Sequence, residues 1–236
     1  MDAAANTAIS HGPAPAAPAA SARWPAQPIV LYHSRLSGHA HRVRLFLSLL
    51  GLPFEIEEMD LRTGAHRAPS FLALNAFGQL PVIRDGDVVL ADSVAILQYL
   101  NARYAPDPTV WMPADPLVAA QVQRWFSVAA GQLVAGPGTA RVIQLFGMAM
   151  DPADPIARSH KLLKVMDAHL LAQPFLAGPR PTLADLSLCT YVAHAPEGNV
   201  SLEPYLNVRA WLGRVEAIPG FVHMVRSPVG LHAPAA

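Results

Sequence analysis

Two serines, a glycine and two histidines occupy the junction of a strand-like and a helix-like run in LYHSRLSGHAHRVRLFLSLLG, Leu31–Gly51. The start of a helix has unpaired N–H groups and a partial positive charge, both of which favour an anion. A serine there, Ser37, can lend its O–H to that anion or serve as the helix N-cap, since Ser is among the best capping residues. Ser34 is the second candidate hydroxyl, nearer the strand end. His39 and His41, two apart, could be imagined as a metal pair. The sequence has no third ligand of matching spacing, so no metal is expected and both read as loop histidines, with His39 close enough to shape a pocket. Asp92-Ser93 precedes a helical pattern and makes a good cap, while Thr182 and Asp185 form a Thr-x-x-Asp capping box. His66 and Arg67 lie in a polar loop as solvated charges.

These residues need elements to hold them. PIVLYHS is a short β-branched run of strand length, Val43 to Leu50 is apolar with helical bulk, and Gly51 and Pro53 close it. FEIEEMD alternates like a second strand. APSFLALN reads as a short helix stopping near Asn75, LPVIRDGDVVLAD as two strands around an Asp85-Gly86 hairpin turn, and SVAILQYLNARYA as a helix. Pro106, Pro108, Pro113 and Pro116 then break the pattern and make a stiff connector. Helices follow and no convincing strands: LVAAQVQRWFSVAAGQLVA, ended by Gly-Pro-Gly; TARVIQLFGMAM; PIARSHKLLKVMDAHLLA; TLADLSLCTYVAHA; and LNVRAWLGRVEAI. The expected fold is α/β plus all-α, a βαβ-α-ββα domain over residues 28–105, a connector over 106–114 and a helical domain over 115–228.

Composition narrows the functions. The chain has 236 residues, 52% of them hydrophobic, enough for real cores. Lys+Arg and Asp+Glu balance at 17 each, so no net field favours nucleic acid or an anionic membrane, and a small-molecule partner is expected. The single Cys189 excludes an intramolecular disulfide, a CxxC pair and a cysteine-rich zinc site; within an apolar helix pattern it reads as an inert buried thiol. Residues 1–27 are rich in Ala and Pro and read as a disordered tail. Pro13, Pro15 and Pro18 interrupt any signal-peptide core, and no apolar run approaches the roughly 18 residues needed to cross a bilayer. A cytoplasmic, non-membrane protein is expected.

The order of these elements, together with FLALNAFGQLPVIRDGDVVLADSVAILQYL, resembles the cytosolic glutathione S-transferase superfamily, with its Asn-x-x-Gly-Gln-x-Pro segment and following acidic-Ser pair. The resemblance covers residues 28 to about 225 and implies a thioredoxin-like domain followed by a helical one. With Arg42-Val43-Arg44 as anchor, Ser37 falls where the family places its activating hydroxyl, which implies a serine-type, bacterial-like member with glutathione as co-substrate. Ser37 would then donate to the thiolate and would not itself be a nucleophile. Pro81 matches the family's cis proline, Leu80 its backbone contact to the cysteinyl part, and Gln79 a side-chain contact. Asp92 and Ser93 match the pair gripping the γ-glutamyl group, and His66 and Arg67 the residues meeting the glycyl carboxylate. Asp92 stands where Glu is usual, one methylene shorter, and Ala76 where proline is common.

The resemblance implies attack of the glutathione thiolate on an apolar electrophile, of the kind used in detoxification, and a homodimer pairing the first domain of one chain with the helical domain of the other. Trp125, Phe126, Val128, Leu133, Phe146 and Met148 are the candidates for the apolar pocket, and equally for helix core. Two other readings stand beside this one. The same site could serve a glutathione-dependent cis-trans isomerase or peroxidase, to whose serine-rich loop SGHAHRVR has some likeness although Gly38 and Ala40 replace serines. The same fold also serves as a non-catalytic binding module.

Overall fold

The computed structural model describes residues 24–234; the tail expected over 1–27 falls, up to residue 23, outside the described residues. Four strands form one sheet: β1 (Ile29–His33), β2 (Phe54–Glu58), β3 (Val82–Asp85) and β4 (Val88–Ala91), in the order β2-β1-β3-β4. β2 runs parallel to β1, while β3 is antiparallel to both β1 and β4. The central strands are apolar because helices cover them, with Ile29, Leu31, Val82 and Ile83 fully buried. β2 is an edge, and its glutamates Glu55, Glu57 and Glu58 guard that edge with charge. Asp85 pairs with Val88 across the β3–β4 turn, where Gly86 takes φ 57°, a conformation in which glycine carries no Cβ penalty.

α1 (Gly38–Leu49) begins five residues before the apolar pattern that starts at Val43. Its polar first turn is nonetheless buried, at His41 and Arg42, because it faces the helical domain and finds polar partners there. A 3₁₀ turn at Ala65–Arg67 leads into the four-residue α2 (Pro69–Leu72), and α3 (Ser93–Tyr104) completes the first domain. The proline-rich connector is packed: the Trp111 ring lies edge-on to Phe46 at 5.4 Å, and the Trp111 carbonyl accepts from Leu183 N–H at 3.0 Å.

The remaining helices are α4 (Pro116–Ala130), α5 (Thr139–Phe146), α6 (Ala153–Ala172), α7 (Leu183–Ala193) and α8 (Leu206–Glu216). Gly-Pro-Gly does not end the helix that precedes it; Val134–Gly138 forms a π-helical turn, with Pro137 inside it, that runs directly into α5. A wide turn accommodates a residue that lacks an N–H and would clash in a regular α-helix. α1 and α3 pack on α7, so one apolar cluster runs without interruption from Ile29 and Phe46 through Leu183 and Trp211. At the start of α7, Asp185 is fully buried yet accepts from Thr182 N–H, Leu176 N–H and Trp211 Nε1, which confirms the capping box and adds one partner from the preceding loop and one from α8. Among the described residues no helix is long and apolar enough to cross a membrane.

Candidate active site

The strand register assembles the site. Tyr32 pairs with Val82, and Val82 with Ala91. The chain leaving β1 toward Ser37, the chain entering β3 through Pro81 and the chain leaving β4 at Asp92 therefore meet at one end of the sheet. Two helix N-termini, those of α1 and α3, open at that end.

Ser37 is 9% exposed and caps α1: its Oγ accepts from Ala40 N–H at 3.2 Å, while its own N–H donates to the Ser34 carbonyl at 2.8 Å. Among the described residues its hydroxyl proton has no acceptor. Capping and donation are thus compatible, since the cap uses a lone pair and leaves the O–H. Ser34 is buried just past the strand and contributes its carbonyl to this turn.

Asp92 caps α3, its Oδ1 accepting from Val94 and Ala95 N–H, both at 2.9 Å. It takes φ 70°, which for a residue other than glycine costs on the order of 1–3 kcal/mol and is met mainly where function or a cap demands it. The carboxylate is exposed, and among the described residues its second oxygen is uncommitted. Ser93 is buried, and its Oγ accepts from Arg42 Nη1 at 2.7 Å. By sequence alone Arg42 is notable only as part of the Arg42-Val43-Arg44 word. It lies fully inside the protein, donates also to the Ser187 carbonyl of α7, and so ties α1, the α3 N-terminus and the helical domain together.

The Leu80–Pro81 peptide is cis. Asn75 braces the loop before it, its amide donating to the Gln79 carbonyl at 2.8 Å and its Oδ1 accepting from Phe77 N–H at 3.1 Å. This gives the Asn-x-x-Gly-Gln word a local physical reason. Gln79 is exposed, and half-buried Leu80 lies just outside the β1–β3 ladder. His66 packs against this loop, and among the described residues its buried Nδ1 has no partner; Arg67 is exposed.

His39 and His41 lie in the first turn of α1, not in a loop, and contact different partners. His39 stands edge-on to the Tyr191 ring at 5.0 Å, and burial, then the Arg42 charge, push its pKa down to about 3. His41 donates from Nε2 to the Val222 carbonyl at 2.8 Å and accepts at Nδ1 from the Thr190 hydroxyl at 2.9 Å, with burial holding its pKa down to about 4. The expectation of loop histidines is therefore corrected: both belong to α1, and each is neutral and packed between domains. No group of three or more His, Cys, Asp or Glu placed to hold a metal occurs among the described residues. Cys189 is buried, its thiol pushed up to about 12 by desolvation, and is chemically quiet. Of the pocket candidates, Trp125, Phe126 and Leu133 are core, Val128 lines a groove between α4 and α6, and Phe146 and Met148 are surface residues.

Sequence comparison agrees with the geometry. The glutathione S-transferase N-terminal domain profile matches residues 36–103, and the C-terminal domain profile residues 154–219. Glutathione S-transferase 3 of Zea mays is 38% identical over 206 residues, spanning 82% of this chain and 91% of the maize protein. Human glutathione S-transferase theta-2 is 32% identical over 199 residues, 80% of this chain and 81% of that one. The crystal structure of a glutathione S-transferase from Pseudomonas fluorescens superimposes with a TM-score of 0.79 at 30% identity, covering 84% of this chain and all of the other. With both domain profiles matched in order, relatives alike over most of their length, and the cis proline and two helix N-termini meeting at one sheet end, the chain belongs to the glutathione S-transferase family.

Proposed function

We propose that the enzyme is a serine-type glutathione transferase in which Ser37 donates its O–H to the thiolate of bound glutathione, beside the α1 N-terminus. One observation carries this reading: the Ser37 oxygen accepts from α1's own backbone, while among the described residues its proton has no acceptor. A free thiol with a pKa of about 8.5 is only a few per cent ionised at neutral pH, and each unit of depression corresponds to about 1.4 kcal/mol of preference for the thiolate. The activated sulfur forms a bond to an electrophilic carbon of an apolar substrate, the leaving group departs with its electron pair, and the thiol proton passes to solvent.

The other contacts follow from the same corner. Asp92, with its uncommitted oxygen, faces the γ-glutamyl ammonium. Ser93, whose oxygen is already held by Arg42, keeps its proton for the γ-glutamyl carboxylate. Leu80, beside cis Pro81, offers backbone groups to the cysteinyl part in the manner of an added strand, and Gln79 adds an amide. The unpartnered Nδ1 of His66, with Arg67, serves the glycyl carboxylate. No metal takes part.

A homodimer completes the reading. Phe77 is 85% exposed on the first domain, and a groove of about 520 Å³ between α4 and α6 is lined by Trp125, Val128, Leu162 and Val165 on the second. Pairing first domain to helical domain would cover both surfaces. A cytoplasmic setting and boundaries at residues 28–105 and 115–228 belong to the same proposal.

The test is glutathione binding by calorimetry and aryl-halide conjugation, with thiolate absorbance, for the wild type and Ser37→Ala. Ser37→Ala should bind glutathione yet lose the thiolate signal and at least about tenfold in kcat, as expected of an interaction that favours the thiolate. Binding without conjugation by the wild type would move the assignment to isomerase or peroxidase chemistry at this site. Absence of binding would leave a non-catalytic module.

A further inference from the structure

Arg141 on α5 is 1% exposed, and its guanidinium reaches across the domain boundary into the loop that carries Ser37. Nη1 donates to the Leu36 carbonyl at 2.7 Å, and Nε donates to Glu197 Oε2 at 2.7 Å. Glu197, fully buried, is itself pinned: its Oε1 accepts from His194 Nδ1–H at 2.6 Å and from Ser227 N–H at 3.0 Å. Leu36 is the residue immediately before the N-cap, so its carbonyl belongs to the peptide that orients Ser37.

A buried ion pair is weak evidence for stability, because desolvating two charges offsets much of their attraction. Among the described residues Arg141 Nη2 is buried with no acceptor. What the placement does achieve is two donors, set at the fixed angle of a planar fork, serving a carbonyl and a carboxylate together; an ammonium has no such fork. Two residues on, at Gly38 where α1 starts, an added Cβ would lie 2.8 Å from Tyr191 Cε2, so the chain is gripped at Leu36 and walled at Gly38 by the same helical domain.

We propose that Arg141 is a positioning residue: anchored by Glu197, it fixes the Leu36 carbonyl and thereby aims the Ser37 hydroxyl and the α1 N-terminus at the glutathione sulfur. The inference rests on the thiolate reading of Ser37. It makes the helical domain a participant in thiol activation and not merely the wall of a substrate pocket.

The experiment titrates the thiolate absorbance of glutathione bound to full-length wild type, Ser37→Ala, Arg141→Lys and Glu197→Gln, at a temperature where circular dichroism shows each folded. Arg141→Lys should raise the bound thiol pKa by about one unit and lower kcat about tenfold, with KM for glutathione changed less than about threefold. A purely structural Arg141 would lower the unfolding midpoint and leave the thiol pKa alone, and that result overturns the inference. If Ser37→Ala also leaves the thiol pKa unmoved, the thiolate reading itself has failed; if only Ser37→Ala moves it, this inference alone falls. Should neither Arg141→Lys nor Glu197→Gln fold, the wild type decides by NMR. Guanidinium N–H resonances of Arg141 that shift on adding glutathione support the coupling, and unmoved resonances refute it.

Discussion

Arg42 Nη1 donates to Ser93 Oγ at 2.7 Å, so a charge carried on α1 is delivered to the N-terminus of α3. The contact links the two helix ends that form the site, and the same guanidinium holds the Ser187 carbonyl across the domain boundary. On the proposed role of Ser93, glutathione binding and domain cohesion share one buried side chain.

Arg42→Met should strand Ser93 and the Ser187 carbonyl without their donor. Leaving such buried groups unsatisfied costs about 1–3 kcal/mol each, and urea denaturation should show a loss of that order. KM for glutathione should rise as well, because Ser93 loses the donor that fixes its rotamer. A loss of stability with unchanged KM would separate Arg42 from the binding site.

Asp92→Asn separates the cap from the charge. Asn caps helices as well as Asp and, like Asp, is enriched among residues at positive φ, so stability should change by less than about 0.5 kcal/mol. Glutathione affinity should nevertheless fall roughly tenfold, the loss expected for removing one charge-assisted hydrogen bond. Equal affinity measured by calorimetry would assign Asp92 to capping alone.

Acidification should destabilise the protein in two stages. His39 and His41 have pKa values lowered from 6.5 to about 3 and about 4. Between pH 6.5 and 4 the unfolded chain binds protons that the native one refuses, so stability falls as pH drops through that window. Glu197 is held at about 2: burial raises it, but the His194 hydrogen bond, the Ser227 N–H and the Arg141 charge together outweigh burial. Its contribution is intact above 4.5 and is lost as pH falls toward 2. Denaturant midpoints measured from pH 8 to 4 should decline below 6.5, whereas a flat profile would contradict the buried neutral histidines.

Phe77→Asp should convert a dimer to monomers in sedimentation velocity with little change in monomer stability. The side chain is 85% exposed within one chain, and surface substitutions of that kind stay within about 0.5 kcal/mol. An unaltered sedimentation coefficient would place the interface elsewhere or make the wild type monomeric.

Much of this protein was legible in its residues because the relevant physics is local. Alternation and β-branching mark the strands, the Asp85-Gly86 turn sets the β3–β4 hairpin, and Thr182 and Asp185 cap α7 within four residues of each other. Ser37 and Asp92 are recognisable as caps for the same reason, and the Asn75 brace acts across only four residues. Local reading failed at Gly-Pro-Gly, which looks like a stop but forms a π-helical turn, and at His39 and His41, whose burial depends on a helix far along the chain. Arg42, Arg141 and Glu197 became functional candidates only in the folded chain. Arg42 lies 51 residues from Ser93 and 145 from Ser187, and Arg141 lies 105 from Leu36. Sequence periodicity determined which elements form and where their polar ends fall. Which buried charge meets which distant carbonyl was decided by tertiary packing, because a desolvated guanidinium is tolerable only where the fold supplies its acceptors.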